Sequence, residues 1–300
     1  MQIKRLPTNP IITPELDPAI GANINGPSLI AAPEWLPNRL GKYYLYFGHH
    51  QGLFIRLAYA DMLEGPWRIY GPGTLRLEQT PCYGHIASPD VHVDEQNQRI
   101  IMYYHGPAIA RADAQHDPVT QRFATLGGQR SLVATSADGI NFTSGQELLG
   151  SSYFRVFQWQ GWTYALGMPG IVYRSADGFT GFEIGPFLFD KDMRHSAVKL
   201  VGNTLTVFYS RVGDCPEHIL VSTIDLRANW MNWQESPPRS VVHPQEAYEG
   251  ADLPLEPSQR GAIHQQAHQL RDPAIFEEDG RVYLLYSVAG ESGIAIAELY

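Results

Sequence analysis

The stretch KYYLYFGHH at 42–50 is an aromatic-rich strand that ends in polar residues, and its design recurs four times further along the chain. The later copies are RIIMYYHG (99–106), WTYALGM (162–168), TLTVFYSR (204–211) and RVYLLYS (281–287). Repeated strand units of one design indicate a closed radial array with a central pocket.

The segments around these strands extend the repeat to a full blade. A short apolar segment, often with a proline, precedes each strand, as in NGPSLI (25–30). A segment of small and β-branched residues follows, and it tends to end at an aspartate and an aromatic residue, as in LVATSADGINF (132–142). Each unit therefore predicts three strands and a fourth that begins at the aromatic residue, which is the plan of a propeller blade.

The fifth unit ends after its third strand, at Tyr300. We expect the N-terminal segment QIKRLPTNPIIT (2–13) to supply the missing fourth strand, because a closed ring leaves no open sheet edge. The sequence thus predicts an all-β, five-bladed β-propeller that forms a single domain over residues 1–300. Two long inserts, at about 107–130 and 236–269, are expected to form rims or lids.

Composition excludes several classes of partner. The formal net charge of −9 argues against nucleic acid, because phosphate binding needs a basic surface. No window approaches 18 apolar residues and no charged-then-apolar leader begins the chain, so we expect a cytoplasmic protein without a membrane partner. Two cysteines, Cys82 and Cys215, do not make a disulfide framework. The sequence gives no indication of the oligomeric state.

Polar residues on the first strand of each blade should converge, because these strands line the central channel of a propeller. Burying such groups without partners costs several kcal/mol, so their convergence indicates a paired network or a wet binding site. The candidates on the first strands are Asn25, Asp90, Arg155, Arg194, His195, Arg271 and Asp272, and those at the ends of the second strands are His49, His50, His105 and Arg211.

Two segments carry a family resemblance. LRDPAIFEEDGRVYLLYS (270–287) and SPDVHVDEQNQRIIMYYHG (88–106), in this blade layout, resemble the five-bladed β-propeller glycoside hydrolases, the group that includes family 43 arabinofuranosidases and xylosidases and family 117 anhydrogalactosidases. The resemblance implies a glycosidase with Asp272 and Asp90 as its carboxylates, one as base or nucleophile and one as orienting group. The first blade departs from the pattern, because NINGPS (23–28) stands where a catalytic aspartate is often found.

The acid of such a reaction has two candidates. The family 117 relatives are thought to use a histidine, and His195 in RHSAV occupies that kind of inner-strand position. A histidine titrates near neutrality and can deliver a proton to a leaving oxygen. Glu249, in AYEGAD, is the second candidate if its loop folds over the pocket.

The remaining candidates are predicted to bind substrate. Arginine suits bidentate capture of carboxylate or sulfate, so the four arginines at the channel favour an anionic sugar such as a uronide or a sulfated unit. Asn25, His49, His50 and His105 complete the predicted binding set. We expect no cofactor; the histidines are compatible with a central divalent cation, but their spacing is not a metal-binding motif.

Our leading interpretation is a glycosidase that hydrolyses a short oligosaccharide from one end, because a channel closed by two long loops favours a pocket over an open groove. Two alternatives remain. One is a polysaccharide lyase in which His195 or His105 abstracts the proton beside a uronate carboxylate. The other is a carbohydrate-binding propeller that has lost catalysis.

Overall fold

Every named strand belongs to one of five antiparallel four-stranded sheets in this computed structural model, which describes residues 1–110 and 127–300. Each sheet is one blade, and the five-bladed propeller that the sequence predicts is confirmed. Blade I contains β2 (Asn25–Ala31), β3 (Tyr43–Gly48), β4 (Arg56–Ala60) and β5 (Arg68–Ile69). Blade II contains β6 (Ala87–Asp94), β7 (Arg99–Pro107), β8 (Gln129–Ser136) and β9 (Thr143–Ser144).

The other three blades repeat this order. Blade III contains β10 (Arg155–Trp159), β11 (Trp162–Gly167), β12 (Ile171–Ser175) and β13 (Glu183–Phe187). Blade IV contains β14 (Met193–Val201), β15 (Thr204–Arg211), β16 (Ile219–Asp225) and β17 (Arg239–Val242). Blade V contains β18 (Arg271–Glu278), β19 (Arg281–Val288), β20 (Gly293–Leu299) and, from the other end of the chain, β1 (Ile3–Arg5).

Helical structure in the described residues is confined to single 3-10 turns in the connections. These turns are Pro14–Leu16, Pro18–Ile20, Leu77–Gln79, Trp230–Asn232 and Ala247–Glu249. No helix among the residues described is long and apolar enough to cross a membrane. Most of the first predicted rim insert, residues 111–126, lies outside the described residues.

The ring closes where the sequence predicts. Strand β1 pairs antiparallel with β20, with Ile3 opposite Leu299 and Arg5 opposite Ala297. The side chain of Arg5 then reaches Glu249, with Nε 2.7 Å from Oε1 and Nη2 3.0 Å from Oε2. Glu249 is fully buried and also accepts a hydrogen bond from the Tyr286 hydroxyl at 2.8 Å. The N-terminal strand is therefore joined to the last strand by a backbone ladder and to the connection between blades IV and V by an ion pair with a buried carboxylate.

The aromatic second strands pack between blades, which explains why their design repeats. Tyr46 of blade I donates from its hydroxyl to the Gly139 carbonyl in a turn of blade II, at 2.7 Å. Tyr103 of blade II makes the same contact to the Gly178 carbonyl of blade III, at 2.9 Å. The tyrosine ring fills the space between two blades, and its buried hydroxyl needs a hydrogen-bond partner. Because the carbonyl of the next blade is that partner, the contact also fixes the distance between the blades.

One residue at the start of each innermost strand has a left-handed backbone. The five φ angles lie between 48° and 65°. In four blades the pairing with the second strand shifts register just after this residue, which is the signature of a β-bulge. Non-glycine residues hold such angles at a cost of roughly 1–3 kcal/mol, and they concentrate at functional sites. The five residues, in blade order, are Gly26, Ser88, Tyr153, His195 and Asp272.

The ring closure predicts a large effect of one substitution. Arg5→Ala leaves the buried Glu249 carboxylate without its cation, so we expect the free energy of unfolding to fall by about 3 kcal/mol. Urea denaturation followed by fluorescence measures it. Arg281→Ala, which removes an exposed arginine 2.7 Å from Glu298, is the matched control and should change stability little. Equal losses in the two variants would contradict the buried pair as the closing interaction.

Candidate active site

The left-handed residues lie around one cavity of about 240 Å³ at one end of the central channel, and this cavity is partly open to solvent. Four of the five, Ser88, Tyr153, His195 and Asp272, line it. The fifth is Gly26, where a Cβ would lie 2.9 Å from the Ser88 Cα, so a side chain does not fit there. The other lining residues are Asn25, His50, His85, Ala87, His105, Gln129, Ser152, Met168, Arg194, Arg260 and Gly261.

Asp272 is the acidic side chain of this lining. It is 2% exposed, and its Oδ1 accepts a hydrogen bond from the Tyr153 hydroxyl at 2.8 Å. Its Oδ2 is buried and has no hydrogen-bond partner in the described structure. Burial, followed by the negative charge of Glu291, raises the pKa of Asp272 to about 6. A carboxyl group in this state exchanges a proton close to neutral pH, as acid–base catalysis requires.

Three aromatic rings surround this carboxyl group. The Tyr153 ring lies 5.1 Å from the ring of His195 and 5.9 Å from that of His105, measured between centroids. His195 Nδ1 is 3.5 Å from Asp272 Oδ1. Burial and the nearby positive charge of Arg194 hold the pKa of His195 well below its usual range, and burial does the same for His105. Both histidines are therefore neutral near pH 7.

Behind the cavity, four buried side chains of alternating charge form a continuous chain. Arg194 binds Glu217 through two nitrogens, with Nε 2.9 Å from Oε1. Glu217 Oε2 lies 3.1 Å from Arg271 Nε, and Arg271 Nη1 donates to Glu291 Oε1 at 3.0 Å. All four are at most 2% exposed. Burying a charge costs several kcal/mol unless an opposite charge lies beside it. Each of these four charges has such a neighbour.

The chain of charges ends at His50, which faces the cavity. Glu291 Oε2 lies 2.9 Å from His50 Nδ1 and accepts the amides of Asn23 and Asn25 at 2.6 and 3.2 Å. Asn23 Oδ1 in turn accepts from the backbone N–H of His50 at 2.8 Å. Burial lowers the pKa of His50, but the hydrogen bond and the charge of Glu291 outweigh it, and the pKa is raised.

Asp90 does not join Asp272 in the cavity. Arg155 of blade III bridges its two neighbouring blades, donating to the Ser196 carbonyl of blade IV at 2.8 Å and to the Pro89 carbonyl of blade II at 3.1 Å. Its guanidinium lies 4.2 Å from the Tyr153 ring. Asp90 lines a separate space of about 120 Å³ with Arg155. Its Oδ2 lies 2.9 Å from His92 Nε2 and accepts from the Val156 N–H at 2.8 Å.

Five other predicted site residues lie outside the lining: Arg155, Arg271, Glu249, His49 and Arg211. Glu249 is engaged with Arg5 and Tyr286 at the ring closure, so its predicted role as an acid lacks geometric support. His49 accepts a hydrogen bond from the Gln51 N–H and does not line the cavity, unlike its neighbour His50. Arg211 pairs with Asp214 at 3.1 Å and with Asp190 at 3.4 Å.

The predicted arginine cluster is internally compensated. Arg194 and Arg271 bind Glu217 and Glu291, and Arg155 binds backbone carbonyls and an aromatic ring. Arg194 lines the cavity, but its charge is matched behind the wall. The arginines that suggested an anionic sugar therefore already have partners within the protein.

Within NINGPS (23–28), the structure places the departure of blade I at Gly26. Asn25 is not the equivalent of Asp272; the left-handed residue of blade I is Gly26, and Asn25 matches Arg271 in position. Asn25 instead binds Glu291 and Asn23. The first blade thus offers no side chain at the position where blade V offers a carboxyl group.

Sequence reasoning did not single out Glu217, Glu291, His85, Arg260 or Gln129. Glu217 and Glu291 lie in turns, one after β15 and one after β19. Each pairs with an arginine on the first strand of its own blade, and Glu217 also contacts Arg271 of the next blade. Their signal in the sequence is weak, because a single acidic residue in a turn is usually solvated. Among the described residues, no group of three or more His, Cys, Asp or Glu side chains is arranged to hold a metal ion.

The environments of the two aspartates predict opposite effects of pH on stability. The folded pKa of Asp272, about 6, lies above the ordinary value of 3.8, so its ionisation destabilises the fold as pH rises from about 4 to about 6. Asp272→Asn removes this penalty. We expect the difference in the free energy of unfolding, variant minus unmodified protein, to rise by about 2–3 kcal/mol from pH 3.5 to pH 8. Denaturant titrations at the two pH values measure this difference.

Asp90→Asn is the matched control with the opposite sign. Burial raises the pKa of Asp90, but the charge and hydrogen bond of His92 and the charge of Arg155 outweigh it, so the pKa is lowered. The stabilisation from ionised Asp90 is present above pH 4 and lost as pH falls. Asp90→Asn should therefore be less stable than the unmodified protein at pH 8, with a gap that narrows in acid. The same pH trend in both variants would contradict the two environments.

Comparisons with known proteins agree with this architecture. No protein-family model matches the chain. Among solved structures, CoXyl43, a family 43 β-xylosidase/α-arabinofuranosidase from a compost microbial metagenome in complex with xylotriose, superposes with a TM-score of 0.61, 14% identity and coverage of 99% of this chain and 95% of that one. An α-L-arabinanase of Cellvibrio cellulosa complexed with arabinohexaose superposes with a TM-score of 0.57 and 12% identity, and the match covers 93% of this chain and 92% of that one.

A further solved structure and one protein sequence complete the comparison. An exo-1,5-α-L-arabinanase from a bovine ruminal metagenomic library superposes with a TM-score of 0.58 and 11% identity, covering 93% of each chain. The uncharacterized protein R118 of Acanthamoeba polyphaga mimivirus is 36% identical over 338 residues, covering 99% of this chain and 90% of that protein. The chain therefore belongs to the same protein family as the mimivirus protein R118, and it has the five-bladed propeller fold of the family 43 glycoside hydrolases.

Proposed function

We propose that the protein is a glycoside hydrolase that removes a sugar from the end of a short oligosaccharide. The observation that carries this proposal is a set of buried polar atoms without hydrogen-bond partners, described at the cavity: Asp272 Oδ2, His195 Nδ1 and His105 Nδ1. Each such atom costs about 1–3 kcal/mol when left unpaired. A ligand with several hydroxyl groups would satisfy them together.

Asp272 is proposed as the general base. Its pKa of about 6 leaves it ionised at neutral pH while keeping it basic enough to take a proton from water. The Tyr153 hydroxyl holds Oδ1, so we assign the water molecule to Oδ2, which is buried and has no partner in the described structure. The water oxygen attacks the anomeric carbon, its proton passes to Oδ2, and the glycosidic C–O bond breaks. The fold shared with xylosidases and arabinanases supports this reaction class.

The size of the cavity supports action at a chain end. Its volume of about 240 Å³ lies below the roughly 300–1,000 Å³ of pockets that enclose drug-sized ligands. Such a space suits a terminal sugar unit better than a continuous polymer.

The charge balance favours an uncharged sugar over an anionic one. Arg194 and Arg271 are matched by Glu217 and Glu291, and Arg260, at the cavity wall, lies 3.3 Å from Asp192. A uronate or sulfate in this cavity would face Asp272 without an unmatched arginine to neutralise it. The same balance disfavours the lyase alternative, because proton abstraction beside a uronate needs that carboxylate neutralised.

Replacement of the base predicts a large and specific loss of activity. Asp272→Asn should lower kcat roughly 10²–10⁴-fold toward the best substrate in a panel of neutral and anionic aryl glycosides and short oligosaccharides, because removal of a general base has this size of effect. Released reducing sugar measures hydrolysis, and absorbance of an unsaturated product would reveal a lyase. Asp225→Asn, in an exposed turn, is the matched control and should retain activity.

Three results would overturn parts of the proposal. Full activity in Asp272→Asn would remove the base assignment. Anionic substrates turned over faster than neutral ones would contradict the argument from charge balance. Binding of glycans by the unmodified protein without any turnover would favour a carbohydrate-binding propeller, and it would show that the unpaired atoms serve recognition alone.

A further inference from the structure

We propose that His50, held by Glu291, is the general acid that protonates the leaving group, a role that rests on the glycosidase function proposed above. The geometry that points to it is a dyad formed by two loops. Glu291 follows β19 of blade V and His50 follows β3 of blade I, and they meet at 2.9 Å between Oε2 and Nδ1.

The contact to Glu291 fixes the tautomer of His50. An ionised carboxylate only accepts hydrogen bonds, so Nδ1 must carry a proton and donate it. The other nitrogen, Nε2, has no hydrogen-bond partner within the described structure and belongs to a ring that lines the cavity. Nε2 is therefore the site at which His50 gains or delivers a proton, as in other imidazoles oriented by a carboxylate.

Exposure separates His50 from the other cavity histidines. Its side chain is 32% exposed, whereas His195 and His105 are 7% exposed and have pKa values well below the usual range. A neutral, buried imidazole lacks the extra proton that an acid must give. His50 can hold that proton beside Glu291 and regain it from solvent after each turnover.

Glu291 is itself held in the ionised state. Burial raises its pKa, but the hydrogen bond and charge of His50 and the charge of Arg271 outweigh burial and lower the pKa to about 2. The amides of Asn23 and Asn25 add two donors to the same oxygen as His50. Glu291 is thus a permanent carboxylate that positions the imidazole and stabilises its cation.

The groups that face His50 from the surrounding elements set the pH at which it works. Two carboxylates, Glu291 and Asp272, favour its cation, and Arg271 opposes it. Four other histidines also couple to His50 electrostatically: His49, His85, His105 and His195. The net effect raises the affinity of His50 for its proton. Asp272 loses its proton before His50 does, so a base and an acid coexist near neutrality.

The step balances without a co-reactant. The proton on His50 Nε2 passes to the glycosidic oxygen as its bond to the anomeric carbon breaks. Water supplies the new C–O bond, and its proton passes to Asp272. Solvent then exchanges one proton with each group, which restores the starting state.

The leaving group provides the decisive test. His50→Gln should lower kcat roughly 10²–10⁴-fold for the methyl glycoside of the sugar that the panel identifies, and less than about 10-fold for its 4-nitrophenyl glycoside, whose leaving group needs no proton. The alkaline limb of the kcat/KM profile should disappear in this variant. His243→Gln, which replaces an exposed histidine, is the matched control. This variant should keep its activity on both glycosides and the alkaline limb of the profile.

Glu291→Gln tests the positioning role separately. Loss of the carboxylate should move the alkaline limb to lower pH by roughly one unit or more while leaving it present. NMR titration of the imidazole should show the same downward shift of the His50 pKa. If Glu291 had only a structural role, the variant would lose activity, but the pH of the alkaline limb and the pKa of His50 would stay unchanged.

The outcomes distinguish this inference from the function on which it rests. If the unmodified protein cleaves no glycoside, the glycosidase proposal fails and the acid role of His50 fails with it. If the protein is active but His50→Gln slows both glycosides equally and retains the alkaline limb, the assignment of His50 alone is overturned. Thermal melts of each variant establish that the loss is not unfolding.

Discussion

The buried chain of alternating charges, Arg194, Glu217, Arg271 and Glu291, is the interaction on which the site depends. Moving an ion into a protein interior costs several kcal/mol, and only a close opposite charge offsets that cost. The partners come from blades IV and V, and Glu291 extends the chain to His50 and two asparagines of blade I. Each arginine pairs with a glutamate of its own blade. The contact of Glu217 with Arg271 joins blades IV and V, and that of Glu291 with His50 joins blades V and I, so the network links the three blades at the wall of the cavity.

This pairing has a consequence for Asp272. Its neighbour in the sequence, Arg271, is directed to Glu217 and Glu291, and no ion pair joins Asp272 to an arginine or lysine in the part of the chain described. A buried carboxyl group without a cation holds its proton more tightly. The network thus stabilises the wall and, by occupying the arginines, leaves one carboxyl group reactive.

The fold was predictable because strand pattern, turns and the incomplete fifth unit all indicate the same closed ring. The site was predictable in part: Asp272 and His195 line the cavity, whereas Asp90 does not. The reason is a register step. Asp272 precedes a proline and Asp90 follows one, so alignment on Pro89 and Pro273 matches Asp272 to Ser88. Glu217 and Glu291 escaped prediction because a single acidic residue in a turn is usually solvated, and its pairing with a strand arginine about 20 residues away leaves no local pattern.

Because the blades of the ring are equivalent, the carboxyl group proposed as the base can come from blade V although blade I carries glycine at the matching position. In four blades the left-handed residue of the inner strand lines the same cavity, so the chemistry depends on which side chains occupy these positions and not on which blade holds them. At Gly26 the close approach of Ser88 excludes a side chain. The titratable side chain that blade I places at the cavity is His50, just after its second strand. Because blade I has no room for a carboxyl group beside Ser88, the proton donor that we propose comes from the end of this strand and the base from blade V.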